Sequence, residues 1–403
     1  MVKPKIIIIG GGISGLACAY KLAKTGKFEI HIHEKDEILG GRLFDVFAGR
    51  VLLDETSYPN MLWFTKEIGL MGELDKVTSS DFGFLLPNKK IISGKRVPLH
   101  LLKEFVFRKR SLKLFLDSFK FIRYIQSLRF NIDKYESNLP NQEELRSISF
   151  EKFMAKYPPE IQQLIIKPVQ MMCSPDDYEK IDAETGIFFA WVIYAMKKGY
   201  FMSRAPKVYA DAFIKIAKEL GINIHLNSEI QKVERGKKYK VIFSDGSTED
   251  ADTVICSAPL TESEKILGIN FGIEYSLMRG VFIKGDFKYK FPLILSAFPE
   301  SNINVIYNWG EHQVFYPLNN WLEPKSQNKT PVELNIDYLY KKEWEFIKEI
   351  RSSVGIPLNL RKKTPDLKQG DNLYVCGDFY GYTGLESAVS SAFKVAEEII
   401  KLN

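Results

Sequence analysis

The sequence predicts an α/β fold in which a parallel-sheet domain is interrupted by a second, α+β domain. Three observations predict it. An apolar run near the start of the chain leads through a glycine-rich turn into a helix, which is how a βαβ unit begins. Further blocks of strands and helix follow in the middle of the chain and at its end. The chain has 403 residues, which is too long for one simple core and suggests two domains.

The first block begins with four isoleucines, Ile6 to Ile9, which predict a strand buried on both faces of a parallel sheet. A G-x-G-x-x-G sequence follows at once. Gly10 permits a tight turn, Gly12 lets the backbone approach a pyrophosphate, and Gly15 lets the next helix pack closely on the strand. We predict that helix over 16–24, and its N-terminus offers free N–H groups and a positive dipole end to phosphates.

A second strand, Glu29 to His33, ends in Glu34, nineteen residues after Gly15. An acid at this place can accept hydrogen bonds from both ribose hydroxyls of an adenosine. Gly40 and Gly41 then free the backbone, and Arg42 can hold a pyrophosphate oxygen. These features together predict a dinucleotide site; the structural alternative is a glycine-rich turn with an incidental acid.

The order of G-x-G-x-x-G, an acid and G-G-R resembles the start of the FAD-dependent flavin amine oxidase superfamily, which includes monoamine oxidases, protoporphyrinogen oxidases and phytoene desaturases. The resemblance implies a Rossmann-like FAD-binding domain of the GR2 type with an inserted α+β substrate domain. It also implies that Arg42 reaches the FAD pyrophosphate. The residues of this block that the resemblance places at the FAD are Gly10, Gly12, Ile13, Ser14, Gly15, Glu34, Lys35, Gly40, Gly41 and Arg42.

The next stretch, Gly49 to Pro59, resembles the family's strand and Asp-x-Gly-Ala turn beneath the flavin. Asp54 matches, whereas Thr56 stands where glycine is usual and Ser57 where alanine or serine is seen. Threonine resists the backbone freedom that glycine has. The resemblance places Thr56 and Ser57 at the cofactor, and it is at Thr56 that the sequence departs from the family.

The middle block combines a predicted helix, Tyr209 to Leu220, with four short strands. These strands lie at 222–226, 230–234, 240–243 and 251–256. The order resembles the family's third FAD segment, which ends here in Ala258-Pro259. The resemblance implies that the backbone of Val233 contacts the adenine and that Ala258 belongs to the cofactor site.

The final block has a strand over 372–376, then Gly377-Asp378, then a helix that begins near Gly384. In the family such an acid meets the ribityl and phosphate region, and a hydrophobic-Glu-Gly-Ala sequence opens a helix aimed at the flavin. A helix N-terminus there would stabilise negative charge on the reduced flavin. The matching residues are Gly377, Asp378, Leu385, Glu386, Ala388 and Val389, and Ser387 replaces the glycine.

Because the three blocks are far apart yet must surround one FAD, we predict a discontinuous cofactor domain of 1–85, 205–268 and 355–403, and a substrate domain of 86–204 and 269–354. In the substrate domain we predict a hairpin over 82–98, mostly helix over 99–204, strands at 281–283 and 303–309, and a closing helix over 332–354. Its aromatic residues could line an apolar pocket or simply fill the core. They include Phe188, Phe189, Trp191, Tyr194, Tyr200, Phe201, Trp309, Phe315 and Tyr316.

The composition is that of an ordinary folded protein, with 45% apolar and 26% charged residues. Residues 1–5 lead directly into the first strand, so we expect no signal peptide and a cytoplasmic location. Cys18, Cys173, Cys256 and Cys376 lack CxxC spacing, which predicts free thiols and no metal site. His31 and His33 share a strand face, and we interpret them as packing because no further Cys or His cluster joins them.

The net charge of +6 is concentrated between Leu99 and Phe130. Within this stretch Leu112, Phe115, Leu116, Phe119 and Ile122 recur at helical spacing. The result is a basic amphipathic helix. One interpretation is a helix packed on its own domain with a solvated cationic face; the other is peripheral contact with an anionic membrane at its inner face. We expect no nucleic-acid partner, because no recognition motif accompanies the charge.

We expect an FAD-dependent oxidoreductase that dehydrogenates a hydrophobic small molecule, isoprenoid- or porphyrinogen-like, by hydride transfer to flavin. Amine oxidation and a non-redox reaction such as isomerisation are the alternatives. Amine oxidases of the family carry a cage tyrosine just before the hydrophobic-Glu-Gly-Ala sequence, where this chain has Gly384. They also carry a lysine near the reactive flavin nitrogen, where Arg279 aligns, or Lys284 after a small shift. No catalytic residue is assigned; Arg279 is the candidate, and a salt-bridged arginine is its structural alternative.

Overall fold

The computed structural model describes residues 2–43, 52–78, 80–86, 88–96, 112–159, 161–162, 165–166, 169, 180–196, 198–202, 207–296, 303–309, 311–317, 336–358 and 365–402. The α-helices in these ranges are α1 (Ile13–Ala23), α2 (Pro59–Glu67), α3 (Leu112–Ser127), α4 (Gln142–Ser147), α5 (Phe150–Met154), α6 (Ala183–Tyr194), α7 (Lys207–Leu220), α8 (Leu260–Leu267) and α9 (Leu385–Leu402). The first strands are β1 (Lys5–Ile9), β2 (Glu29–His33), β3 (Leu52–Asp54), β4 (Leu74–Val77), β5 (Phe82–Leu85), β6 (Ile91–Ser93), β7 (Phe130–Asn131), β8 (Glu136–Ser137), β9 (Gly199–Met202) and β10 (Asn223–His225). The remaining strands are β11 (Ile230–Glu234), β12 (Tyr239–Phe243), β13 (Thr248–Ala251), β14 (Thr253–Cys256), β15 (Met278–Lys284), β16 (Leu293–Ser296), β17 (Ile303–Trp309), β18 (His312–Pro317), β19 (Glu345–Ser352), β20 (Lys368–Gly370) and β21 (Leu373–Val375).

The central sheet has six strands in the order β10-β2-β1-β14-β21-β20, parallel except for β20 at one edge. Both faces of β1 are covered by other elements. Alternate residues of a strand point to opposite sides, so each face of β1 can be followed separately. Ile6 and Ile8 pack with residues of α1, α7 and α9, while Ile7 and Ile9 pack with residues of the sheet β11-β12-β13. This Rossmann-like arrangement confirms the predicted α/β fold.

A second sheet has seven strands in the order β19-β15-β18-β17-β16-β5-β6 and is antiparallel except where β16 meets β5. The predicted hairpin near residue 82 is present as β5 and β6. The predicted helix over 332–354 is wrong where the structure describes it, because residues 345–352 form β19. Phe346, Ile347 and Ile350 are spaced as on a helix, but pairing along β15 overrides that local pattern.

The two sheets draw on different parts of the chain. The strands of the central sheet lie in 5–33, 223–256 and 368–375, and most strands of the second sheet lie in 278–352. Strand β5 belongs to the second sheet although it precedes residue 86. A small antiparallel sheet, β3-β9-β4, contributes residues to the cores of both sheets, and in it Asp54 is opposite Gly199. The domain boundaries proposed from the sequence stay a prediction.

Helix α3 buries a different face from the one that its sequence suggests. Phe121 and Ile125 are 8% and 1% exposed, whereas Leu116 and Phe119 are 45% and 57% exposed. The side chains of Leu112 and Phe115, and all of 99–111, lie outside the described residues. No helix in the described ranges is both long enough and apolar enough to span a membrane.

The histidines of β2 require a correction. They were expected to have no further Cys or His nearby, but β10 pairs with β2 and places His225 opposite His33. The sequence separation of these strands hid the contact. Burial, and secondarily the neighbouring His225, lower the pKa of His33 to about 4. Cys18, Cys256 and Cys376 are buried free thiols, and Cys173 lies outside the described residues.

Candidate active site

The two glycine-rich loops meet where β1 and β2 end. Gly12 and Gly40 form an isolated parallel bridge, and the N–H of Gly40 donates to the carbonyl oxygen of Gly11 at 2.8 Å. Gly10 has φ of +102° and Gly40 of +114°, which side chains rarely permit. Gly41 lies beside them, since a Cβ on it would be 3.4 Å from the Cα of Gly12. The structure therefore joins both predicted glycine motifs in one surface.

Gly12 and Gly15 have different surroundings. A Cβ on Gly15 would be 2.2 Å from the carbonyl oxygen of Gly10 and 2.6 Å from Oγ of Ser257. A Cβ on Gly12 would meet nothing within 4 Å. Gly12 is also the N-cap of α1 and makes no side-chain cap. Gly15 thus serves the packing of helix on strand, while Gly12 faces open space at a helix N-terminus, where anions bind readily.

Glu34 is buried at the end of β2 and is 6% exposed. Its Oε2 accepts from the N–H of Gly11 at 2.7 Å, and its Oε1 accepts from the N–H of Asp36 at 3.0 Å. Burial raises the pKa of Glu34, although these two hydrogen bonds oppose the shift. Each carboxylate oxygen has a second lone pair, so the side chain can still accept from ribose hydroxyls while it holds the glycine loop.

Arg42 connects three distant segments of the chain. Its Nη1 donates to the carbonyl oxygen of Gly355 at 2.6 Å and to Oδ2 of Asp378 at 2.7 Å, and its guanidinium lies 5.7 Å from the ring centroid of Tyr275. Burial disfavours the charged form, but Asp378 outweighs it and raises the pKa of Arg42. The other oxygen of Asp378, Oδ1, is buried and has no hydrogen-bond partner among the described residues.

Asp54 organises the turn that contains Thr56 and Ser57. Its Oδ2 accepts from the N–H of Thr56 at 2.9 Å and from the N–H of Ser57 at 3.2 Å. Thr56 does not have a positive φ, so this turn does not need the glycine that the family has there. Ser57 is 1% exposed. The departure from the family at Thr56 is therefore compatible with this backbone.

The start of α9 is tied to α2 by Glu386. Its Oε1 accepts from the N–H and the Nδ2 of Asn60, and its Oε2 accepts from the N–H of Met61, at distances of 2.7–2.9 Å. Burial raises the pKa of Glu386 to about 7, against the effect of these donors. The side chain of this predicted cofactor residue is thus engaged by a neighbouring helix N-terminus. Glu386 would therefore act on a cofactor indirectly, by fixing the position of the start of α9.

The structure places the other predicted cofactor residues as follows. Ile13 and Ser14 are buried in the first turn of α1, and Ala258 lies beside Gly10, where a Cβ would be 3.3 Å from its nitrogen. Val233 is buried on β11, opposite Val241, and Lys35 is exposed. The remaining residues belong to the last block: Gly377, whose N–H donates to Oγ of Ser391 at 3.0 Å, Leu385, which is half-buried, and Ala388, which is 4% exposed.

Comparison with known proteins decides the family. Residues 13–272, more than half of the chain, match the family model described as flavin containing amine oxidoreductase. The chain belongs to this family. It is accordingly an FAD-dependent oxidoreductase of the flavin amine oxidase superfamily.

Solved structures share the fold at low sequence identity. An oxidoreductase from Methanosarcina mazei has a TM-score of 0.72 and 16% identity, over 98% of this chain and 100% of that chain. Wild-type putrescine oxidase bound to putrescine has a TM-score of 0.69 and 13% identity, over 99% of each chain. A CLA-producing fatty acid isomerase from P. acnes has a TM-score of 0.67 and 14% identity, over 99% of this chain and 98% of that chain. No curated protein matches the sequence.

The residues of this flavin-containing amine oxidoreductase fit FAD. Gly12 leaves room for a pyrophosphate, and the guanidinium of Arg42 carries a positive charge beside it. The buried Oδ1 of Asp378 is an acceptor that still needs a donor, and a ribityl hydroxyl is one. Glu34 provides acceptors at the end where a ribose would lie. We assign these four positions as the residues that would hold the cofactor.

The sequence offered two candidates for the cation beside the flavin, and Arg279 is nearer along the chain to the segment that Arg42 contacts. Ser276 contacts the segment that Arg42 binds, because its carbonyl oxygen accepts from the N–H of Gly355 at 2.7 Å. Arg279 follows three residues later and Lys284 eight residues later, so Arg279 lies within about 10 Å of Ser276. Arg279 is half-buried and in register with Arg351, and Lys284 is exposed. A role for either residue stays a prediction.

The aromatic residues that the sequence singled out do not form one surface. Phe188, Phe189 and Trp191 pack in the helical core around α6. Phe315 packs on one face of the second sheet, and Phe201 and Tyr316 pack on the other. The surface around these last two we call the aromatic face; it comprises Phe201, Phe282, Tyr307, Trp309 and Tyr316. Its rings lie near one another, with centroids of 5.8–6.3 Å from Tyr307 to Phe201, Trp309 and Tyr316.

Sequence reasoning missed Tyr58, which is the N-cap of α2. Burial raises the pKa of Tyr58, and the nearby Glu386, Tyr307 and Asp54 add to the shift. Tyr58 packs against the core beside α1 and against the helical core around α6. Its position directly after Ser57 was the available signal. No sequence signal indicates that the carbonyl oxygen of Gly355 accepts from Arg42, because any residue has a backbone carbonyl.

Proposed function

We propose that this protein dehydrogenates a hydrophobic small molecule at carbon, a compound of isoprenoid, carotenoid or porphyrinogen character. FAD, when bound, supplies the two-electron acceptor. The chain's own residues then bind the substrate, orient its reacting bond and exclude water. The observation that carries the proposal is the space at Gly384.

Gly384 stands where the family's amine oxidases have a tyrosine of their aromatic cage. Its φ is +90°, and a Cβ on it would meet nothing within 4 Å. Tyr382, two residues earlier, does not replace the missing ring. It is fully buried, donates to Glu184 at 3.1 Å and stacks on Phe188 at 4.7 Å. An open position in place of a cage tyrosine favours a bulkier, flatter substrate over a small amine.

The aromatic face supports the same substrate class. It connects through β9 to the turn that contains Thr56 and Ser57, because Gly199 is opposite Asp54 and Phe201 follows two residues later. Phe201, Tyr307 and Tyr316 are 3–4% exposed, so a hydrophobic molecule would contact the half-buried rings of Phe282 and Trp309. Trp309 is half-buried, and its Nε1 is buried with no hydrogen-bond partner among the described residues. The Nε1 of Trp309 is thus a donor that a substrate with few polar atoms could use.

Amine oxidation and isomerisation are the alternatives. The structural similarity to putrescine oxidase favours an amine substrate, and the similarity to a fatty acid isomerase favours a non-redox reaction of a hydrophobic chain. The open position at Gly384 argues against the first alternative. The second differs from our proposal in its product, since isomerisation leaves the flavin oxidised at the end of each turnover.

The test is anaerobic mixing of the FAD-loaded protein with isoprenoids, porphyrinogens, primary amines and unsaturated fatty acids, while flavin absorbance is recorded. We expect bleaching by an isoprenoid or porphyrinogen. Trp309→Phe should slow that bleaching, whereas the matched control Trp63→Phe should not. Trp63 packs instead on Tyr20 and Phe393. Rapid bleaching by a small primary amine would replace our proposal by amine oxidation, and a rearranged product without bleaching would replace it by isomerisation.

We also propose that the basic stretch 99–130 contacts an anionic membrane surface. In its described part, Leu116, Phe119, Lys120 and Arg123 share one side of α3 at spacings of three and four residues. All four side chains are exposed. Apolar residues beside cations on one helix face are typical of interfacial binding, and the positive charge complements anionic lipid.

Vesicle sedimentation tests the membrane proposal. The protein should bind vesicles that contain phosphatidylserine, and salt should reverse the binding. The double variant Lys120→Glu, Arg123→Glu should weaken binding by at least about fivefold per residue, since each basic residue near such a surface contributes about 1 kcal/mol. Phe119→Ser should weaken it too, while Ile347→Ser, at an apolar residue that is 42% exposed on β19, should not. Equal recovery in the supernatant with and without vesicles would contradict the proposal.

A further inference from the structure

Three histidines lie together at the edge of the central sheet. His31 and His33 are on β2, and His225 is on the edge strand β10. A potential ligand atom of each lies within 4.8 Å of the others. The rings are nearly parallel, with centroids 5.2 Å apart for His31 and His225 and 4.4 Å apart for His33 and His225. This is the spacing of side chains that can turn toward one ion.

On two of the rings one nitrogen is already held by a neighbour. Nδ1 of His33 lies 2.8 Å from Oγ of Ser228, and Nε2 of His31 lies 2.8 Å from Oε1 of Glu29. Such partners fix the orientation of metal-binding histidines in known sites. They leave Nε2 of His33 and Nδ1 of His31 for the interior of the cluster. Nδ1 of His31 is 3.0 Å from Nε2 of His225.

The strongest sign of a missing partner is at His33. This residue is 4% exposed, and its Nε2 is buried without a hydrogen bond among the described residues. A buried polar atom that lacks a partner calls for an explanation. Because the atom faces the other two imidazoles, an ion held by all three would satisfy it.

A carboxylate stands where a fourth ligand is needed. Oε2 of Glu249, on β13, is 3.4 Å from Nε2 of His33, and its Oε1 is 3.8 Å from Nδ1 of His31. Lys5 lies 3.0 Å from Glu249 and 4.0 Å from Glu29. Two carboxylates against one ammonium leave the surroundings net negative, which favours a cation.

We propose that His31, His33, His225 and Glu249 bind one divalent ion of the zinc class. Three imidazoles and a carboxylate suit the four-coordinate geometry of Zn²⁺, whose bonds of about 2.0–2.1 Å place ligand atoms roughly 3.3 Å apart. Side-chain rotation closes the gap from the 4.8 Å limit observed here. The ion would tie β2, β10 and β13 together. Glu34 directly follows His33, so the site would also stabilise the end of β2 that presents Glu34 to the cofactor.

The experiment is zinc titration of tag-free, full-length protein after removal of metal with a chelator. Calorimetry should give one ion per chain, and Zn²⁺ should raise the unfolding temperature. His225→Ala should abolish both effects, and Glu249→Gln should weaken binding by at least about tenfold, since even residues that only orient the ligands contribute that much. The matched control His312→Ala removes an exposed histidine of β18 and should bind zinc as the wild type does.

Each variant is compared with its own metal-free unfolding temperature, so a loss of stability is not mistaken for a loss of binding. Co²⁺ provides a second measurement, because its ligand-field absorption at wavelengths beyond the flavin bands reports nitrogen ligands directly. The proposal is overturned if the wild type binds no zinc stoichiometrically. It is overturned equally if His225→Ala binds zinc with unchanged affinity, or if His312→Ala is the variant that loses it.

Discussion

Gly12→Ala and Gly15→Ala add the same methyl group at the N-cap and in the first turn of α1, and the structure predicts different consequences. At Gly15 the new Cβ would lie 2.2 Å from a backbone oxygen. Backbone must therefore move, and overpacking of this kind costs about 1–3 kcal/mol. At Gly12 the Cβ meets nothing within 4 Å, and φ of −72° with ψ of 174° is open to any residue.

The balance at Gly12 is close to zero without cofactor. Alanine restricts the unfolded chain, which stabilises by about 0.4–1 kcal/mol, and it is a poorer N-cap than glycine by a similar amount. With FAD the methyl occupies the space that we assign to the pyrophosphate. Losing even one charge-assisted hydrogen bond costs about 1.5–3 kcal/mol, which corresponds to roughly a ten- to hundredfold weaker affinity.

Two measurements separate these effects. FAD titration of the apoprotein gives the affinity, and thermal unfolding of the same apoprotein gives the stability. We expect Gly12→Ala to unfold at the wild-type temperature and to bind FAD poorly. Gly15→Ala should unfold at a lower temperature. If Gly12→Ala retains wild-type FAD affinity, the open space at Gly12 is not the pyrophosphate site and the assignment of the loop is refuted.

Two further predictions concern the charged residues of the site. Burial raises the pKa of Glu386 from 4.5 to about 7. Its contribution to the free energy of unfolding is therefore full below about pH 4.5 and falls by about 3 kcal/mol as the pH rises through 7. Urea unfolding of Glu386→Gln at several pH values should no longer show this fall, and an unchanged fall would exclude Glu386 as its source. Glu34→Ala and Arg42→Ala should each weaken FAD retention by about ten- to a hundredfold, measured as flavin absorbance after gel filtration, and flavin retained at the wild-type level would contradict either assignment.

The fold could be predicted where local pattern and tertiary structure agree. Four consecutive isoleucines form β1 because a parallel strand needs apolar residues on both faces, and the structure buries all four. The segment around Ile350 shows the opposite case. Its apolar spacing suits a helix, but β15 offers an edge with which it pairs over its whole length. No feature of the local sequence indicates the partner strand, so periodicity alone predicts a helix where the structure has a strand.

The site could be predicted in its backbone parts and much less in its side-chain contacts. Glycines that a turn or a close approach requires can be recognised in the sequence, and the structure shows that Gly12 and Gly40 do meet. The role of Glu386 was less accessible. Its motif suggested a cofactor contact, yet its carboxylate holds the first turn of α2, 325 residues away. A buried acid near a helix N-terminus satisfies free N–H groups whether or not a cofactor is close, and sequence cannot show which helix will be near.

Long-range contacts also explain how cofactor binding and folding are coupled here. Arg42 is held by Gly355 and Asp378, which lie 313 and 336 residues further along the chain. The cofactor site therefore exists only when both ends of the chain have folded against each other. A ligand that binds only this state stabilises the whole fold, by about 2.7 kcal/mol at a concentration one hundred times its dissociation constant. Since Ser276 also contacts Gly355, that stabilisation extends to the strand that carries Arg279 and the aromatic face.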